Sequence, residues 1–253
     1  MNNLYIADSI EAAAIAAAEY WVQCASQAIR QEGIFHVAFS GGSTPKYLHR
    51  ALLKDEYRKK IDWSCVHAWF GDERMVACDH TDSNYRMVRE TLLDHVDIPA
   101  VNIHPIVDDK VLSSTERAQS TRLLADNYAR QLDAVLPHDS DGRIKFDLVM
   151  LGMGADGHTA SLFPDTMILD EDTRTVAEVY VEKLKAWRVS LTFPLIEQAH
   201  HRLLLVAGED KANVLAKIFS QTDKHDYPVK GFASRIPSQW FLDKLAAGKL
   251  ESA

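Results

Sequence analysis

Four times along this chain a short apolar run ends in a polar turn that carries a glycine. FHVAFS (Phe35–Ser40) leads into GGSTP, WSCVHAWF (Trp63–Phe70) into GDER, FDLVML (Phe146–Leu151) into GMGADGH, and RLLLVAG (Arg202–Gly208) into EDK. Between these runs the apolar spacing turns helical. Ile15, Ala18, Val22, Ala25 and Ile29 share one face of a helix that Gly33 stops and that Asp8 with Glu11 is expected to cap. A helix through Tyr47, Leu48 and Leu52 follows GGSTP, and Asn84–Leu93 turns Met87, Val88 and Leu92 to one side. Ser113 and Glu116 are expected to cap another helix, with Leu124, Tyr128, Leu132 and Val135 inward, and Lys211–Phe219 forms the last. VAEVYV (Val176–Val181) and WRVSLTF (Trp187–Phe193) read as two further strands. Strands alternating with helices predict an α/β fold, Rossmann-like, with a largely parallel sheet flanked by helices. No linker or repeat divides residues 1–253, which read as a single domain. In such sheets ligands sit at the carboxyl ends of the strands, where all four polar turns fall.

The third turn poses the sharpest question. Gly152, Gly154 and Gly157 spell G-x-G-x-x-G, the letters of a dinucleotide-binding turn. That turn must feed a long helix, yet Pro164 arrives seven residues after Gly157. The acid expected about 20 residues on, at the end of the next strand, is also misplaced, since Glu178 falls inside VAEVYV. The glycines are therefore expected to bring backbone close to a smaller ligand and to present Asp156 and His158.

Those two residues suit acid–base work, because a carboxylate beside an imidazole makes a general base with an expected apparent pKa near 6–7. No G-x-S-x-G elbow supplies a serine nucleophile, so water is the expected attacking group. GGSTP, with Ser40, Gly41, Gly42, Ser43 and Thr44, can turn amides and hydroxyls toward an anion at a helix start. GDER alone would be a solvated turn. On the same sheet edge, Arg74 could hold a phosphate or an oxyanion, with Asp72 beside it. Taken alone, Arg188 is an ion-paired residue at a strand edge and Lys211 a solvated cation.

The formal net charge of -8 argues against nucleic acid or an anionic membrane as partner. Three cysteines without C-x-x-C spacing, and an N-terminus without a signal pattern, point to a reducing, cytoplasmic setting. No metal-ligand cluster is visible, and no cofactor is expected.

Together the stretches FSGGSTP, WFGDER with SNYRMVRETLL, FDLVMLGMGADGHTASLFP, WRVSLTFPLI and LLLVAGEDKANVL resemble the 6-phosphogluconolactonase family, within the glucosamine-6-phosphate isomerase/deaminase fold group. They span Phe39 to Leu215 in the family's order. The resemblance implies hydrolysis of 6-phosphoglucono-δ-lactone to 6-phosphogluconate without metal or cofactor, by a monomer or homodimer. It implies His158 as general base, Arg74 at the substrate, and Lys211 and Arg188 as phosphate ligands, with Asp72 and Gly157 also at the substrate. Where the family has Val-Pro after GDER, this chain has Met75-Val76-Ala77-Cys78, which bears on the rigidity of that loop. The resemblance leaves two rivals: a glucosamine-6-phosphate deaminase-type enzyme, and a non-catalytic sugar-phosphate sensor. Deaminases carry a tyrosine after the Asp-Glu pair and IAFNEP after the histidine, against Arg74 and TASLFP here.

Overall fold

The computed structural model describes residues 3–220, 227–234 and 236–250. Among them are a six-stranded sheet and a three-stranded one. In chain order the strands are β1 (Asn3–Ala7), β2 (Phe35–Phe39), β3 (Val66–Phe70), β4 (Asp72–Arg74), β5 (Leu148–Leu151), β6 (Val176–Val181), β7 (Ala186–Leu191), β8 (His201–Val206) and β9 (Gln239–Asp243). The larger sheet runs β1-β9-β8-β5-β2-β3, and every pairing in it is parallel. The α/β expectation holds. Every residue of β2 and of β5 is buried, as expected of strands covered by helices on both faces.

The first helix, Ile10–Glu32, shows how the sequence builds this layer. Its buried face is largely alanine (Ala13, Ala14, Ala17, Ala18, Ala25 and Ala28), which lets the helix lie close to the sheet. Trp21 fills the remaining depth, edge-on to Phe35 and stacked on Trp63. The cap is Ser9, whose Oγ accepts from the Ala12 amide at 3.3 Å, and not Asp8, whose carboxylate pairs with Lys244. Gly33, at φ 78°, ends the helix as expected. The helix Arg117–Val135 begins without a side-chain cap, because neither Ser113 nor Glu116 turns back on its amides. Its Val135 faces outward, at 38% exposure, since the chain is already leaving the sheet there.

Two features depart from the simple alternation. VAEVYV and WRVSLTF form no part of the parallel sheet. They are the antiparallel hairpin β6–β7, and GDER joins it as β4, with Asp72 opposite Ser190 and Arg74 opposite Arg188. The second departure is the pair of strands β1 and β9, which the sequence pattern left unread. No helix among the described residues is long and apolar enough to cross a membrane.

The connectivity decides where the crevice lies. From β2 the chain crosses to β3 on one side, whereas from β5 it crosses to β8 on the other. The loops leaving β2 and β5 therefore diverge. Such a switch point is the usual ligand site of a doubly wound sheet.

Candidate active site

At that switch point the carboxyl ends of β8, β5, β2 and β3 stand side by side, carrying Lys211, the glycine turn, GGSTP and GDER. They enclose a cleft of about 210 Å³ lined by Ser40, Gly41, Gly42, Ser43, Thr44, Asp72, Arg74, Gly154, His158 and Lys211 among others. A second lobe of about 590 Å³ adjoins it, lined by Asp72, Arg74, Asp156, His158, Phe163, Lys183 and Arg188. Asp72, Arg74, His158 and Ala160 border both. The imidazole thus stands at the junction of the two lobes.

The turn after β5 contains no helix, so it does not have the form of a dinucleotide site. It folds back on itself: the Gly154 amide donates to the His158 carbonyl at 2.9 Å, and the Thr159 hydroxyl to the Gly152 carbonyl at 2.8 Å. This returns His158 to the mouth of the strand. Asp156 Oδ1 lies 2.5 Å from His158 Nδ1. A carboxylate there selects the tautomer with its proton on Nδ1 and leaves Nε2 as the basic nitrogen. The Phe163 ring stacks on the imidazole at 4.0 Å between centroids. Burial pushes the His158 pKa down to about 4, with Lys211, Arg74 and Arg188 adding to the depression and Asp72 opposing it. This is lower than the 6–7 expected from the sequence, where neither the burial nor the three cations could be counted. His158 is consequently neutral at physiological pH, as a base must be.

GDER is not a solvated turn. Glu73, 1% exposed, accepts from the amides of Arg74, Asn84 and Tyr85 and from the Ser83 hydroxyl. Burial raises the Glu73 pKa against those backbone bonds. The carboxylate thereby anchors the start of the helix Asn84–Thr91, beside the cap that Ser83 provides. Asp72 is held by Ser161 Oγ at 2.6 Å and by Asn84 Nδ2. These bonds fix the segment that carries Arg74, whose guanidinium donates to the Asp82 carbonyl at 2.6 Å. The loop beyond is tied in turn by Cys78, whose amide reaches Asp109 and whose thiol reaches the Val107 carbonyl.

Of the anion-binding group, the amides of Gly41, Gly42, Ser43 and Thr44 make no hydrogen bond among the described residues. They precede the helix Pro45–Leu52, whose positive end faces the same cleft. Lys211 reaches this cleft from the turn after β8, with Asp210 at 2.5 Å from its Nζ. Two residues fall elsewhere than the resemblance implies. Arg188 lines the second lobe and not the GGSTP cleft, because strand pairing sets it opposite Arg74. Gly157 lines neither lobe: at φ 76° it makes the turn, and a Cβ there would run into the Tyr227 side chain. Lys183 and Phe163 went unnoticed as site residues, although Phe163 lies within the motif string.

Among the described residues, no three His, Cys, Asp or Glu side chains converge as metal ligands would.

Comparison with known proteins agrees with this geometry. Residues 8–240 match the family model described as glucosamine-6-phosphate isomerases/6-phosphogluconolactonase. A 6-phosphogluconolactonase of Aggregatibacter actinomycetemcomitans is 40% identical over 214 residues, covering 84% of this chain and 86% of the relative. Among solved structures, the 6-phosphogluconolactonase of Trypanosoma brucei superposes with a TM-score of 0.86 at 30% identity, over 99% of this chain and all of the other. A monomeric glucosamine-6-phosphate deaminase shares the fold at a TM-score of 0.77 and 15% identity, over 98% of this chain and 99% of the other.

Proposed function

The chain belongs to the glucosamine-6-phosphate isomerase/6-phosphogluconolactonase family, and from that premise we propose the route by which it hydrolyses 6-phosphoglucono-δ-lactone to 6-phosphogluconate. The observation that carries the route is the Asp156–His158 contact of 2.5 Å at the junction of an anion-binding cleft and a cationic lobe.

The phosphate of the substrate binds the free amides of Gly41–Thr44, the hydroxyls of Ser43 and Thr44 with Ser40 beside them, and the ammonium of Lys211, which sets the lactone ring toward His158. Nε2 of His158 takes a proton from water as its oxygen attacks C1, and the Nδ1–H···Asp156 bond stabilises the imidazolium that forms. The carbonyl oxygen becomes an oxyanion, held by the Arg74 guanidinium with Arg188 across the strand pair contributing positive field. Collapse breaks the bond from C1 to the ring oxygen, which leaves as a hydroxyl with the proton from His158. Phosphate binding also counters the cations that depress His158, so the base is stronger in the complex than in the free enzyme.

Both sheets contribute to one site, through β4 and Ser161 on Asp72, which supports reading residues 1–253 as a single catalytic domain. The cysteines Cys24, Cys65 and Cys78 are unpaired, which supports a reducing, cytoplasmic setting. The test is a coupled assay with freshly generated 6-phosphogluconolactone, corrected for spontaneous hydrolysis and run beside glucosamine 6-phosphate. Turnover of the lactone alone is expected. Turnover of the amino sugar would support the deaminase reading, and binding of 6-phosphogluconate without turnover of either would support the sensor.

A further inference from the structure

The turn joining β6 to β7 is not a passive hairpin end. Residues Glu182–Leu184 form a single 3-10 turn, closed by the bond from the Lys185 amide to the Glu182 carbonyl at 3.1 Å. The turn projects Lys183 back over the loop that carries His158. The ammonium makes an ion pair with Asp156 Oδ2, the carboxylate oxygen that does not face the imidazole. It also lies 4.6 Å from the centroid of the Phe163 ring, within the range of a cation–π contact. Asp156 and Phe163 are the two groups that hold the His158 ring, the first along its edge and the second against its face. One side chain from the second sheet thus touches both supports and not the imidazole itself.

We propose that Lys183 is a positioning residue that grips the Asp156 carboxylate and the Phe163 ring together, and so sets both the orientation of His158 and the strength with which it holds a proton. The inference rests on His158 being the general base. Its electrostatic logic is simple. A carboxylate shared with an ammonium stabilises an adjacent imidazolium less than a carboxylate facing the imidazole alone. Lys183 therefore keeps His158 in its neutral form and spares it from a permanent pair with Asp156. The other charges facing the ring come from separate elements: Asp72 and Arg74 on β4, Arg188 on β7 and Lys211 after β8. None of them contacts Asp156, so Lys183 can be varied without disturbing them.

The test is a titration of the His158 ring by proton NMR, its signal identified by its absence in His158→Gln, in the wild type, Lys183→Met and Lys183→Arg. Lys183 is 51% exposed in its side chain, so these variants are expected to fold. In Lys183→Met the midpoint should rise by roughly one pH unit, and Lys183→Arg should bring it back. In parallel, the acidic limb of kcat/KM for the lactone should move up by the same amount, with KM within about twofold of wild type above that limb. An unmoved His158 midpoint overturns the proposal, whether or not the melting temperature falls. So does a KM raised tenfold without movement of the limb, because Lys183 would then be a substrate ligand. The NMR titration needs no substrate, so failure of the lactonase reading appears separately, as absent turnover in the wild type.

Discussion

Of the three glycines in its loop, Gly154 is the one where an added side chain would collide with the ring of His158. A Cβ built there would overlap Cε1 and Nδ1 of the imidazole and come within 2.6 Å of Asp156 Oδ1. The middle glycine of the G-x-G-x-x-G string therefore serves the histidine, not a pyrophosphate. Gly154→Ala should leave the fold intact, since Gly154 has no positive φ, while displacing the imidazole. A displacement of about 1 Å can cost on the order of 10²-fold in rate. Kinetics should give a fall of that size in kcat with KM little changed. Wild-type kcat would show that the ring has another place to sit.

On the proposed route, Lys211 and the GGSTP amides meet the substrate at the end remote from its carbonyl. Removing one charge-assisted contact should cost roughly 1.5–3 kcal/mol, so Lys211→Ala should raise KM for the phosphorylated lactone by roughly 10- to 150-fold. The same variant should hydrolyse unphosphorylated glucono-δ-lactone as the wild type does. Equal losses on both substrates would remove the phosphate assignment.

Four histidines away from the site predict how the fold responds to acid. His67 and Trp69 on β3 both stack on His104, His36 on β2 lies tilted against His67, and His49 is wholly buried behind Thr91. Burial pushes His36 and His49 down to about 3 and His104 to about 4, and lowers His67. Between the ordinary histidine value of about 6.5 and these depressed values, the unfolded chain binds protons that the folded chain refuses. Stability contributed by these neutral rings is present above about pH 6.5 and is lost as pH falls toward 3–4. Chemical denaturation at stepped pH should show the midpoint falling through that window, and His49→Phe should flatten part of the slope. A midpoint independent of pH between 7 and 4 would contradict this account.

How much of this was legible in the sequence depended on where the determining contacts lie. FDLVML and FHVAFS announce themselves because strands buried on both faces are largely apolar. The DER of GDER could not be read as a strand, because its three residues pair only when β7 arrives from more than 100 positions away. β1 carries Leu4, Tyr5 and Ile6 in succession, all exposed at the rim of the sheet, with only Ala7 buried, and offers no alternation to detect. His158, Asp156 and Arg74 stood out as candidates because each follows a strand end in a recognisable turn, whereas Lys211 was named only through the family resemblance. Lys183 was not, because its meaning arises from a hairpin folding over a loop of the other sheet. The depressed pKa of His158 was not legible for a related reason: the surrounding bulk and three cations reach it through the fold, not through neighbouring letters.

The phosphate of the substrate should leave its own mark on the pH profile. A bound dianion beside Lys211 offsets the cations that depress His158, so the acidic limb of kcat should lie at higher pH than that of kcat/KM, which reports the free enzyme. Coincident limbs would mean that the anion binds too far from the imidazole to be felt.

The most direct test of the central claim is the pH profile of kcat/KM for freshly generated lactone, measured in wild type and in His158→Gln with spontaneous hydrolysis subtracted. The wild type should hold a plateau at neutral pH and lose activity in acid, as the imidazole protonates near pH 4. The variant should remain folded, lose that limb and turn over roughly 10²- to 10⁴-fold more slowly on the plateau. A folded His158→Gln enzyme that keeps either the acidic limb or near wild-type turnover would contradict the assignment of His158 as the base.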